Sequence, residues 1–194
     1  MYRAVFLDRD GVINRDAPEG NYLTSVEEII ILPRVPEALN ILKKKGYSLI
    51  VVSNQGAIAR EFNTFEGVEK MNEEINRRIF QEVGIKIDAF YFCPHHPKGT
   101  IPEYAINCNC RKPSPGMLLE AAKRYDIDLS GSYMVGDRTA DVVAGKSAGC
   151  KTFLVKSPKN HLVITSNSGY DIHAKPDFIV EDLYEASQLI ARLS

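Results

Sequence analysis

The chain has 194 residues, 44% of them hydrophobic and 25% charged, with a formal net charge of −1. This is the make-up of an ordinary soluble protein, and the length suits one domain spanning residues 1–194. The charge balance argues against a basic nucleic-acid face or an acidic tail, so an anionic ligand would have to be held by local cations. No stretch approaches the ~20 apolar residues of a membrane span. The start, Met1 to Leu7, turns acidic at Asp8 and lacks a signal-peptide core. A cytoplasmic location, no membrane partner and a monomeric state are the resulting expectations.

Val5-Phe6-Leu7 reads as a short strand that stops at Asp8. Val35 to Lys45 places Val35, Ala38, Leu39, Ile41 and Leu42 on one helical face, with Gly46 as the stop. Tyr47 to Val52 is a continuous apolar run, as expected of a buried strand, and ends before Ser53. Phe65 to Val83 carries Val68, Met71, Ile75, Ile79 and Val83 on one stripe, between Thr64 as N-cap and Gly84 as C-cap. Ile87–Phe92 is a third strand. Pro115–Tyr125 is a helix with proline in its first turn. Tyr133–Val135 is a fourth strand and Ala140–Ala148 a short helix. Thr152–Val155 and Phe178–Val180 are further strands, and Leu183–Leu193 is a closing helix. This alternation predicts an α/β fold, a parallel sheet flanked by helices on both faces. Asn14–Ile29 and Cys93–Ser114 are long and irregular, which in a compact domain usually means function. A third irregular stretch, Ser157–Pro176, is polar and is expected to be mobile.

Polar residues follow the strand ends: Asp8 and Asp10, Ser53 and Asn54, Cys93, and Asp137. In open parallel sheets, ligands bind beyond the carboxyl ends of the strands, so these segments converge on one rim. Two carboxylates as close as Asp8 and Asp10 call for a cation between them. Magnesium prefers oxygen ligands and also binds phosphate, so Asp8, Asp10 and Asp137 are the expected magnesium set, with Asp141 behind them. Asp8 reads as a carboxylate nucleophile that forms an aspartyl phosphate. Asp10 reads as the acid that protonates the leaving oxygen and then activates water. Taken alone, Asp-x-Asp is equally a solvated acidic turn. Ser53 and Asn54 offer hydroxyl and amide groups to phosphoryl oxygens, although Ser-Asn after a strand is also an ordinary turn. Lys112 would neutralise the transferring phosphoryl group, and Arg111 would reach the substrate, both beside a helix N-terminus.

Cys93-x-His95, twelve intervening residues and Cys108-x-Cys110 form a closed four-ligand set of the kind that holds structural zinc. His96 is a competing ligand, but the Cys-x-His spacing favours His95. The site would pin the long loop so that Arg111 and Lys112 land beside Asp8. Cys150 reads as a small core residue.

Asp8-Arg9-Asp10-Gly11, Ser53-Asn54-Gln55, Cys93-Pro94-His95-His96-Pro97, Cys108-Asn109-Cys110-Arg111-Lys112-Pro113 and Gly136-Asp137-Arg138 together resemble a haloacid-dehalogenase (HAD) superfamily phosphatase. More narrowly, they resemble the D-glycero-D-manno-heptose 1,7-bisphosphate 7-phosphatases. The resemblance spans roughly Val5–Val155. It implies a Rossmann-like HAD-type fold with a minimal cap, magnesium at the active site, zinc in the loop and a small phosphorylated sugar as substrate. By matching position, Asp8 is then the nucleophile, Asp10 the acid/base and Asp137 a magnesium carboxylate. Ser53 and Lys112 steady the phosphoryl group, and Asn54, Gln55, Arg111 and Arg138 line the substrate pocket. The loop Arg15–Tyr22 is longer than the family's turn, and Gly56 stands where the family has serine. Histidinol-phosphate phosphatases share the aspartate motif and a similar zinc loop and are the nearest alternative. A non-catalytic zinc-stabilised binding module is a third. The anomer preferred, and hence the branch of heptose biosynthesis, is not written in these motifs.

Overall fold

Residues 1–18, 20–157 and 175–193 are described by the computed structural model. The elements are β1 (Ala4–Leu7), α1 (Val35–Lys44), β2 (Ser48–Asn54), α2 (Phe65–Val83), β3 (Ala89–Cys93), α3 (Gly116–Tyr125), β4 (Tyr133–Gly136), α4 (Thr139–Ala148), β5 (Lys151–Val155), β6 (Phe178–Val180) and α5 (Leu183–Leu193). The six strands form one sheet in the order β3-β2-β1-β4-β5-β6, and every pairing is parallel. The expected α/β fold with a parallel sheet is therefore what the chain adopts. Most of Ser157–Pro176, the stretch expected to be mobile, lies outside the described residues.

Side chains alternate across the sheet because successive strand residues point to opposite faces. Val5 and Leu7 of β1, with Leu49 and Val51 of β2, pack in one core with Leu39 of α1, Ile75 of α2 and Ile190 of α5. Ala4 and Phe6, with Ile50 and Val52, pack in the other with Leu118 of α3 and Ala144 of α4. Burial on both faces is the reason these strands read as unbroken apolar runs rather than alternating ones. α2 starts and stops as its sequence predicts. Thr64 accepts a hydrogen bond from the Gly67 N–H, and Gly84 closes the helix at φ 71°.

The chain runs outward from β1 through β2 to β3, then returns to place β4 on the other side of β1. That reversal opens a crevice at the carboxyl ends of β1 and β4. β2 extends further than its apolar run suggests, because Ser53 and Asn54 still pair with Phe92 and Cys93 of β3. This extension holds both polar residues in the ladder at the rim. Gly11 turns the chain out of β1 at φ 93°, and a Cβ there would lie 2.5 Å from a carboxylate oxygen of Asp137. Only glycine permits that conformation and that approach.

Candidate active site

Lys112 is the centre of the crevice. Its Nζ lies 2.7 Å from Oδ1 of Asp8 and 2.6 Å from Oδ1 of Asp141, and it donates to the Val52 carbonyl at 2.7 Å. All three ammonium donors are therefore directed, in a side chain that is only 2% exposed. Burial alone would lower the Lys112 pKa, but the Asp141 and Asp8 carboxylates outweigh it and raise it, so the charge is kept. Asp8 is in the opposite situation. Burial pushes its carboxyl up to about 8 against the pull of Lys112, and the charges of Asp141 and Asp137 add to the push. Burial and the Asp141 charge likewise raise Asp137 to about 6.

Oxygens of Asp8, Asp137 and Asp141 lie within 4.8 Å of one another. A buried set of oxygen donors carrying this much repulsion fits a hard divalent cation. Within the trio, Asp141 is already committed: Oδ1 meets Lys112 and Oδ2 accepts the Arg138 N–H at the start of α4. Asp8 and Asp137 are thus the pair better placed to bind a cation, and Asp141 holds Lys112, more than the backing role expected from sequence.

The side chain of Asp10, expected in the magnesium set, is not part of this group. Its Oδ1 accepts Nε of Arg9 at 3.2 Å and Nδ2 of Asn14 at 2.9 Å. Its Oδ2 accepts Nη2 of Arg9 at 3.0 Å and Nε2 of Gln55 at 2.9 Å. Burial opposes ionisation of Asp10, but the Arg9 charge and these hydrogen bonds outweigh it and hold the carboxyl below the ordinary range. The tight turn after β1 points the side chains of Asp8 and Asp10 at different partners.

Asp8, Asp10, Ser53, Asn54, Gln55, Arg111, Lys112 and Arg138 all line one cavity of about 280 Å³. Asp137 sits behind it, fully buried. Ser53 accepts the Gln55 amide at 2.7 Å. Arg111 donates to the His95 carbonyl at 2.8 Å. Both ends of the Asn54 amide also bond the Lys112 main chain. Arg138 is tied at 2.8 Å to Asp16 of the long loop, which also brings Tyr22 to the cavity and stacks it on Phe62. Sequence reasoning missed Arg9, Asn14, Asp16 and Asn72. A polar residue beside the apolar stripe of α2 was the only local sign of Asn72.

Cys93, His95, Cys108 and Cys110 come together as their spacing predicts. Sulfur–sulfur distances run from 3.2 to 3.5 Å, and Nδ1 of His95 is 3.3 Å from the Cys110 sulfur and 3.6 Å from that of Cys93. A tetrahedral ion with ~2.3 Å bonds to sulfur sets edges of roughly 3.8 Å, so the cluster needs only slight expansion to hold one. Contact with Cys93 pulls the Cys110 thiol down to about 5, while the same contact pushes Cys93 up. His96 stands outside the set and faces Nη2 of Arg60 at 3.1 Å. Burial, then the charges of Arg111 and Arg60, lower it to about 4 and keep it neutral. Cys150 is buried, as expected.

A family model described as HAD-hydrolase-like matches residues 109–186. A D-glycero-beta-D-manno-heptose-1,7-bisphosphate 7-phosphatase of Pasteurella multocida is 38% identical over 194 residues, covering 100% of this chain and 99% of its own. A D-glycero-alpha-D-manno-heptose-1,7-bisphosphate 7-phosphatase of Photorhabdus laumondii is 36% identical over 172 residues, covering 85% of this chain and 92% of its own. Among solved structures, the D,D-heptose 1,7-bisphosphate phosphatase of B. bronchiseptica, complexed with magnesium and phosphate, matches with a TM-score of 0.81. It is 30% identical and covers 99% of each chain.

Proposed function

The chain belongs to the D-glycero-D-manno-heptose 1,7-bisphosphate 7-phosphatase family, and from that premise we propose that it hydrolyses the C7 phosphate of a heptose 1,7-bisphosphate. The observation that carries the reading is the Lys112 ammonium between Asp8 and Asp141 in a cavity shared with Ser53 and Asp10. A lysine held at the nucleophile is what a phosphoryl group with spread negative charge requires.

In this mechanism Asp10, ionised in the free protein, first takes up a proton from solvent as the substrate enters. An oxygen of Asp8 then attacks phosphorus, the bond to the sugar oxygen breaks, and Asp10 gives that oxygen its proton. Ser53 and Lys112 hold the phosphoryl oxygens meanwhile, the lysine keeping Asp141 and the Val52 carbonyl and turning the donor it gave Asp8 to the phosphoryl group. Asp10, now ionised, takes a proton from water as the water oxygen attacks phosphorus, releasing phosphate and free Asp8. Asp8 and Asp137 would hold magnesium, which would supply positive charge to offset the two carboxylates and the phosphoryl group. Zinc in the cysteine–histidine cluster would be structural, because four protein ligands leave no position open. Through the His95 carbonyl the cluster supports Arg111, which with Arg138 recognises the anionic sugar.

Relatives named for both anomers stand at similar identity, so the substrate test includes both. Phosphate release from the two heptose 1,7-bisphosphate anomers is compared with release from histidinol phosphate. A preference for histidinol phosphate would overturn the substrate assignment. Absence of turnover on every phosphate ester would favour the binding module instead. No helix among the described residues is long and apolar enough to cross a membrane.

A further inference from the structure

Arg9 lies between the two aspartates at the end of β1, yet it is 1% exposed. Its guanidinium faces inward and uses three of its nitrogens. Nε and Nη2 grip the two oxygens of Asp10 at 3.2 and 3.0 Å, and Nη1 donates to Oδ1 of Asn72 at 3.2 Å. Among the described residues, Asp10 is the carboxylate with which Arg9 forms an ion pair. Asn72 sits on α2, is itself buried, and is 63 residues away in sequence. A buried guanidinium costs several kcal/mol of desolvation, which is recovered only in good geometry. A planar fork on a planar carboxylate sets the orientation of that carboxylate as well as its charge.

We propose that Arg9 is a positioning residue for Asp10, with Asn72 as the tether that fixes the fork. The inference rests on the phosphatase reading above and adds a part to it. Asp10 works twice: it gives the proton it took up on substrate entry to the departing sugar oxygen, and, returned to the ionised form that Arg9 favours, it then takes the proton of the water that attacks the Asp8 phosphoryl group. Each transfer needs the carboxylate within hydrogen-bond reach and correctly turned. The two-point grip from Arg9 supplies that turn, and the anchor on α2 prevents the arginine from swinging out with its partner. A merely structural arginine would brace β1 against α2 without any preference for one step of the reaction.

The test separates steps by leaving group, using the full chain with its metals. p-Nitrophenolate leaves without a proton, whereas a sugar alkoxide does not. In Arg9→Met, turnover of heptose bisphosphate should fall on the order of 100-fold, the scale of lost acid–base assistance. Single-turnover release of p-nitrophenolate, with protein in excess, should change little. Acid-quenched phosphoprotein should accumulate, because its hydrolysis also needs Asp10. Asn72→Ala should show the same pattern more weakly, and Arg9→Lys should not restore turnover, since an ammonium cannot grip both oxygens and Asn72. Equal losses on both esters, full rescue by lysine, or unchanged sugar-phosphate turnover would overturn the proposal. If the unaltered protein forms no phosphoprotein at all, the covalent reading itself fails, and that outcome is distinct from the others.

Discussion

Asn54 and Lys112 clasp each other through two reciprocal hydrogen bonds. The Asn54 amide donates to the Lys112 carbonyl at 2.9 Å and accepts from the Lys112 N–H at 3.0 Å. The pair is 58 residues apart in sequence and joins the end of β2 to the exit of the cysteine-rich loop. An asparagine at this rim therefore positions Lys112 through its backbone. Asn54→Ala should cost about 1–3 kcal/mol, since it leaves a partly buried amide without its partner. It should also lower kcat while leaving metal content intact. Chemical denaturation and kinetics on one preparation check this, and full activity would remove Asn54 from the support of Lys112.

Asp8→Asn should keep the fold and lose turnover by several orders of magnitude, as expected of a removed nucleophile. Lys112 retains Asp141 and the Val52 carbonyl in this variant, so its side chain stays anchored. Circular dichroism and phosphate release give the two readings, and appreciable residual turnover would refute covalent catalysis by Asp8.

The raised carboxyls imply a pH-dependent response to magnesium. Asp8 and Asp137 stand at about 8 and about 6 in the folded chain, against a reference of 3.8. The native state then binds more protons than the unfolded state between these values, so stability falls as pH rises. Without magnesium, the melting temperature should decline from acid toward about pH 8 on account of these two groups. With magnesium bound, their contribution to the decline should vanish. Thermal melts across that range, with and without the ion, decide it; parallel curves would argue against a cation at this trio.

Cys108→Ala should remove bound zinc, which is expected at one ion per chain, and loosen the loop that carries Arg111. Because Arg111 is held by the His95 carbonyl, KM for the sugar bisphosphate should rise more than kcat falls. Metal analysis and steady-state kinetics test both halves, and a full complement of zinc in the variant would sink the ligand set.

Much of the fold and part of the site were legible in the sequence. Strands buried on both faces must be apolar throughout, so β1, β2 and β4 could be read as runs, and the candidate site residues Asp8, Ser53 and Asp137 could be placed where those runs stop. Four soft side chains in two close pairs, Cys93 with His95 and Cys108 with Cys110, likewise stand out and come together in the fold. The sequence by itself thus determined the sheet, the rim and the Cys/His cluster.

Which groups meet at the rim was decided by tertiary structure. Lys112 reaches Asp8 across 104 residues, Arg9 is tethered to Asn72 across 63, and Arg138 pairs with Asp16 across 122. Such partners have no period or spacing to reveal them, since packing of whole helices and loops sets their distance. Asp10 shows the same limit at short range. It is two residues from Asp8, but the turn at Gly11 and the buried Arg9 direct its carboxylate away from Asp137 and Asp141. The motif specifies which carboxylates are present, and the packed environment assigns each its partner.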